Sequence, residues 1–167
     1  MTTMTERDVT TQMFRVFIKA TPQVIWDAIT DPEWNERYGY RSRQEFDLRP
    51  GGSYRAFVTP EMREHGAPDV IIEGEVLEVD PPHRLVQTWH AYFSPEIAAE
   101  GPTRLTWELA PTGDEGVTQL TVIHELADAP NTAAIVTGSL PDAGGGWSMV
   151  ISDLKTLLET GASFSSR

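Results

Sequence analysis

The sequence predicts an α+β fold in which a curved antiparallel sheet wraps around a long C-terminal helix. Three observations carry this. Trp147, Val150, Ile151, Leu154, Leu157 and Leu158 recur at three- and four-residue steps, the apolar stripe of a helix that must be buried. Before them runs a succession of short alternating segments punctuated by Pro and Gly, which reads as hairpin after hairpin. Helical signals are segregated towards the two ends of the chain, the pattern of α+β rather than of a parallel sheet. A helix so apolar needs a broad surface, and a curved sheet is the economical one.

In chain order, residues 1–10 are threonine-rich and charged, and are expected to fray. Phe14, Val16 and Ile18 alternate with Arg15, Phe17 and Lys19, so the first strand covers about 12–19. Thr21-Pro22 is a helix start, a hydroxyl cap and then proline at the first helical position. Asp31-Pro32-Glu33 repeats that signal for a short helix containing Trp34 and ending near Gly39. Segments 43–48 and 53–59 are hairpin arms around Arg49-Pro50-Gly51-Gly52. Residues 60–68 read as a polar loop, and 70–79 as a long strand with a bulge or bend at Gly74. After Asp80-Pro81-Pro82 come an arm over 84–93 and a loop over 94–102 with room for a helical turn. Leu105, Trp107 and Leu109 mark the next strand, and 117–126 the last. The stretch 127–143 is rich in small residues and admits a loose helix.

The main helix covers Trp147–Glu159, opening after Gly144-Gly145-Gly146 and ending at a C′ Gly161. Ser148, Ser152, Asp153, Lys155 and Glu159 fall on its outer side, and 162–167 is a tail. The triple glycine reads as close packing rather than a phosphate nest, since no Lys-Ser or Lys-Thr follows it. With no internal repeat and no linker, 1–167 reads as one domain, ordered over about 12–160.

Composition removes whole classes of function. A chain of 167 residues buries about 70% of its unfolded surface, enough for a core with an internal cavity. The net charge of −12 argues against nucleic acid and against anionic membrane surfaces. Absence of cysteine excludes disulfides, thiolate catalysis and cysteine-bound metals, and fits a reducing cytoplasm. The polar N-terminus lacks the apolar run of a signal peptide, and no segment reaches the roughly 18 apolar residues of a membrane span. A cytoplasmic location is expected.

Several segments resemble one family, the activators of the ninety-kilodalton heat-shock-protein ATPase (homologue type), within the SRPBCC, START and birch-pollen-allergen superfamily. They are Ala20-Thr21-Pro22-Gln23-Val24-Ile25-Trp26, Thr30-Asp31-Pro32-Glu33, Asp47-Leu48-Arg49-Pro50-Gly51-Gly52-Ser53-Tyr54 and Gly74-Glu75-Val76-Leu77-Glu78-Val79-Asp80-Pro81-Pro82. Arg84-Leu85-Val86, Thr88-Trp89, the stretch Thr118–Glu125 and Gly146-Trp147 follow in the family's order, so the resemblance spans about residues 12–160. It implies a helix-grip fold with a cavity between sheet and C-terminal helix. One departure concerns the entrance: where the family often has paired tryptophans and a proline, this chain has Arg37-Tyr38-Gly39-Tyr40.

Leu120, Val122 and His124 share one strand face, inward if that face meets the helix. His124 is then either a polar anchor or general base, or a hydrogen-bonded structural histidine. Tyr54, Trp89, Trp107 and Trp147 are either walls of an apolar pocket or ordinary core. The candidate cavity lining is therefore Tyr54, Trp89, Trp107, Leu120, Val122, His124, Trp147 and Ile151, with no catalytic residue, metal ligand or cofactor assigned. Val122 is assigned to the cavity, so Val122→Phe is expected to leave melting near-unchanged and to reduce uptake of an apolar probe. Asp47, Arg49 and Arg55 read as a solvated hairpin end, and Glu73, Glu75 and Glu78 as a solvent-facing edge. No nucleophile-elbow, zinc-protease, Walker or dinucleotide motif is present, and His65, His83, His90 and His124 lack metal-ligand spacing.

The leading expectation is a carrier or sensor of a small hydrophobic ligand, and the balance leans against an enzyme. A polyketide aromatase/cyclase-like enzyme using the same cavity is the alternative, with His124 as its one obvious acid or base. A stress-related chaperone partner comes third, because the eukaryotic activator carries a separate chaperone-binding domain. Homodimerisation is left open.

Overall fold

The computed structural model describes residues 10–139 and 144–165; the fraying expected at the start falls on residues 1–9, outside that set. Strand β1 (Thr11–Ile18) is followed by helices α1 (Pro22–Thr30) and α2 (Pro32–Asn35), then β2 (Gln44–Phe46) and β3 (Ser53–Phe57). Helix α3 (Pro60–Glu64), β4 (Val70–Asp80), β5 (Arg84–Ala91), α4 (Pro95–Ala99), β6 (Thr103–Pro111) and β7 (Thr118–Glu125) come next. Helices α5 (Pro130–Val136) and α6 (Gly146–Thr160) complete the described chain. The strands form one seven-stranded antiparallel sheet in the order β1-β7-β6-β5-β4-β3-β2. This is the helix-grip architecture.

Helices α1 to α4 begin with the same local chemistry. The Thr21 hydroxyl accepts from the Val24 N–H and the Asp31 carboxylate from the Glu33 N–H, each just before a proline that needs no partner for a missing N–H. Thr59 and Ser94 cap α3 and α4 in the same way. The segment 60–68 is thus not simply a loop, and its Thr-Pro-Glu start carries the signal that marks α1. Helix α5 has no side-chain cap of its own. The Glu100 carboxylate supplies one, accepting from the N–H groups of Asn131 and Thr132 and from both their side chains.

The sheet register sets the inward rows. Phe14, Val122, Trp107 and Leu85 oppose one another across β1, β7, β6 and β5 and so share one face. In β4 the register shift lies between Val76 and Glu78 rather than at Gly74. Gly74 is instead a point of close approach, where any Cβ would collide with the Thr88 carbonyl oxygen. Glu73, Glu75 and Glu78 are exposed as expected, but β4 is an inner strand, so they occupy its outer face and not an edge.

Helix α6 begins one residue before its predicted start and ends one after its predicted end. Gly146 has φ +66, and a Cβ there would strike the Val136 carbonyl oxygen, so the glycines serve close packing of α6 on α5. Ile151, Leu154 and Leu157 are buried, and Gly161 closes the helix in the left-handed region at φ 87. At the far end Lys155 Nζ donates to the Phe17 carbonyl and to Glu159, whose carboxylate also accepts from the Lys19 N–H. These bonds latch α6 to β1.

Asp153 corrects the sequence reading of the helix's outer side, because it is 0% exposed. Its carboxylate accepts from the Gly39 N–H at 2.8 Å, the Phe164 N–H at 2.8 Å and the Ser163 hydroxyl at 2.7 Å. Burial opposes ionisation there, but the bonds from Ser163, Gly39 and Phe164 outweigh it and hold the carboxyl below the usual aspartate range. Residues 162–165 are therefore tied down, whereas a free tail was expected; 166–167 lie outside the described residues.

Candidate functional site

Between the sheet and the start of α6 the interior is hollow, with a cavity of about 310 Å³. Tyr54 and Ala56 of β3, Ile71 and Ile72 of β4 and Trp89 of β5 form its sheet wall. Gly146, Trp147 and Val150 of α6 face them, with Ile135 and Val136 of α5 alongside. Met62 of α3 closes another side, and Phe93 stands at the opening, 43% exposed while still on the wall. The remaining wall is the segment joining α2 to β2, from Asn35 through Tyr38, Gly39, Tyr40, Arg41 and Ser42 to Gln44.

The departure noted at Arg37-Tyr38-Gly39-Tyr40 builds that wall. Tyr38 is buried and its hydroxyl donates to the Ala28 carbonyl at 2.9 Å; burial raises its pKa. The Gly39 N–H is held by Asp153, and the Tyr40 hydroxyl accepts from the Gly146 N–H at 3.2 Å. Arg37 lies over the Trp34 ring at 4.4 Å, and Arg41 reaches Ser165. The loop is thereby fastened to the helix it faces, with the cavity between them. On the sheet side the Tyr54 hydroxyl donates to Gln44 Oε1 at 2.8 Å, and burial raises its pKa as well.

Of the sequence-predicted lining, Tyr54, Trp89 and Trp147 stand on this wall, while Trp107, Leu120, Val122, His124 and Ile151 do not. Leu120, Val122 and His124 are each 0% exposed in the packed part of the interior. Sequence reasoning missed the contributions of α3, α5 and the segment 35–42. The Thr59-Pro60 start is the one signal that could have brought Met62 in.

His124 sits behind the wall in a chain of hydrogen bonds with a fixed direction. An indole N–H can only donate, so Trp147 Nε1 donates to His124 Nδ1 at 3.0 Å. Nε2 then carries the proton and donates to Thr103 Oγ1 at 2.7 Å, and that hydroxyl donates to the Trp89 carbonyl at 2.8 Å. Trp89 meets the imidazole edge-on at 5.1 Å between centroids, and Trp147 meets Trp107 likewise at 5.3 Å. Burial lowers the His124 pKa to about 3, so the ring is neutral near pH 7. Both nitrogens are engaged. His124 sets the orientation of Trp147, and through it the start of α6.

Among the described residues no group of three or more His, Asp or Glu side chains is placed to hold a metal ion, and no helix is long and apolar enough to cross a membrane. The exposed hairpin residues Asp47 and Arg49 pair with each other at 2.8 Å.

Residues 19–159 match the family described as Activator of Hsp90 ATPase homolog 1-like protein. The chain belongs to this family. No curated protein matches it. Among solved structures, CalU16 from Micromonospora echinospora is similar, with 19% identity and TM-score 0.60 over 90% of this chain and 77% of that one. An HSP90 activator from Plasmodium falciparum is 23% identical with TM-score 0.54, covering 92% and 90% of the two chains. The Aha1 dimer from Colwellia psychrerythraea is 16% identical with TM-score 0.64, covering 90% and 97%. Likeness at these identities establishes the helix-grip fold and leaves function to the site.

Proposed function

We propose that this protein, acting as one domain over residues 1–167, binds a small hydrophobic molecule between the sheet and α6, as a carrier or sensor. One observation carries the reading: about 310 Å³ of space stands where a solid core would otherwise be, walled largely by aromatic and aliphatic side chains. A volume of that size is at the lower end of small-molecule sites, which are mostly apolar with a few placed polar groups. The enzyme alternative is weaker, because His124 lies off the wall with both ring nitrogens engaged. Native mass spectrometry of freshly purified protein, followed by titration with N-phenyl-1-naphthylamine, tests the proposal. A retained apolar mass, or saturable 1:1 probe uptake, is expected. An empty protein that takes up no probe contradicts it.

A second reading, contact with a heat-shock chaperone or with a second copy of the chain, draws on the family match and on the Plasmodium and Colwellia neighbours. Met13 and Phe17, exposed on edge strand β1, are apolar surface available for such a contact. A chaperone pull-down and sedimentation analysis address it separately.

A further inference from the structure

We infer that the ligand of this cavity is a hydrophobic acid, an apolar body ending in one carboxylate, which Arg41 receives; the inference rests on the cavity being a ligand site. Among the described residues Arg41 is the one charged side chain on the cavity wall, whose other residues are apolar, aromatic or neutral and polar. Its guanidinium is held in place without being neutralised. Nε donates to Ser165 Oγ at 3.3 Å, and Nη2 donates to the same hydroxyl at 3.2 Å and to the Ser165 carbonyl at 3.0 Å. These acceptors are uncharged, and Nη1 has no hydrogen-bond partner among the described residues. The network continues from Ser165 through the Ser163 hydroxyl to Asp153, but that carboxylate makes no ion pair with Arg41. Arg43, Arg49, Arg63, Arg84 and Arg104, by contrast, each meet a carboxylate oxygen at 3.3 Å or closer.

A cation set beside apolar groups and lacking a counter-charge gains more from an anion than a fully solvated one does. The backbone reinforces the placement. Arg41 has φ 60, a left-handed conformation unfavourable for a residue with a Cβ, so the fold holds this side chain against local preference. Ser42, the next residue, is 7% exposed on the same wall. Its hydroxyl has no partner among the described residues and adds a neutral donor beside the cation. One guanidinium balances one negative charge. A phosphate dianion would bring a second charge that no other cation on this wall meets, which is why a carboxylate fits.

Displacement of bound N-phenyl-1-naphthylamine from the intact protein by 2-naphthoate and by 2-naphthamide at pH 7 tests this. The two competitors share size and shape and differ in charge, and in a wall without a cation the carboxylate binds more weakly because it forfeits more water. We expect 2-naphthoate to displace the probe at about tenfold lower concentration than 2-naphthamide. Arg41→Gln should abolish that preference and leave displacement by 2-naphthamide unchanged. If that variant does not fold, the Arg41 Nε–H resonance of the unaltered protein decides: it should move when 2-naphthoate binds, and an unmoved resonance overturns the inference. A probe that binds but is displaced no better by 2-naphthoate than by 2-naphthamide overturns the inference and leaves the cavity reading standing, and so does a preference that survives Arg41→Gln. Failure of the probe and of both competitors to bind overturns the inference together with the cavity reading.

Discussion

His124 shows how one buried residue couples stability to acidity. Its folded pKa of about 3 lies below the unfolded value of about 6.5, so between those limits the unfolded chain binds more protons than the native one. The stabilisation is complete above pH 6.5 and is lost as pH falls, by about 1.4 kcal/mol per unit, until the native ring itself protonates. His124→Gln should be less stable than the parent at pH 7, and urea unfolding should find the gap narrowing as pH drops to 4. A gap that stays constant would place the imidazole in contact with water. Asp153 makes a second prediction at this scale. Asp153→Ala leaves the Gly39 and Phe164 N–H groups and the Ser163 hydroxyl without their acceptor, and should cost on the order of 3 kcal/mol in denaturant unfolding. Its depressed pKa has the same sign of consequence: the contribution persists above the ordinary aspartate value of about 3.9 and fades on further acidification.

The elements were legible wherever the chain speaks locally. The alternation of β1, β6 and β7, the proline-marked start of α1 and the stripe of α6 all follow from period and capping, which act over a few residues. Helix α3 was legible too, since Thr59-Pro60-Glu61 has the form of Asp31-Pro32-Glu33, but its polar sequence suggested a loop. Helix α5 could not be read in that way, because its cap comes from Glu100, about thirty residues earlier, and only the tertiary fold brings them together. The burial of Asp153 is similar. At 100° per residue Asp153 flanks the apolar stripe beside Val150 and Leu157, so helical period alone does not decide its burial, and segments at both Gly39 and Ser163 cover it. The glycines before α6 are a test of packing at this scale. Gly146→Ala requires a left-handed alanine pressed against the Val136 carbonyl, so it should lower stability by about 2 kcal/mol or more and shift the amide resonances of Trp147. A neutral effect would mean that α6 is not held so closely to α5.

For the whole molecule, a net charge of −12 predicts no nucleic-acid binding at physiological salt, and a salt-dependent gel shift at micromolar protein would show otherwise. The position of the cavity was only partly legible. The β7 face bearing Leu120, Val122 and His124 is inward as the alternation implies, yet inward there means packed core. Hollow space lies farther along, under β3, β4 and the 35–42 segment, because Trp107 and Trp147, meeting edge to face, fill the β6–β7 side. Strand period gives the side on which a residue sits and not whether a partner meets it. Val122→Phe should accordingly destabilise by about 1–3 kcal/mol, as overpacking does, in place of the tolerance expected from sequence. Ala56 is the opposite case, a small side chain on the cavity wall. The most direct test of a hollow, ligand-sized interior is therefore Ala56→Leu, measured for melting temperature and for uptake of N-phenyl-1-naphthylamine. A cavity predicts melting unchanged or slightly raised together with weaker probe binding, while a clear fall in melting temperature with probe uptake unaltered would contradict it.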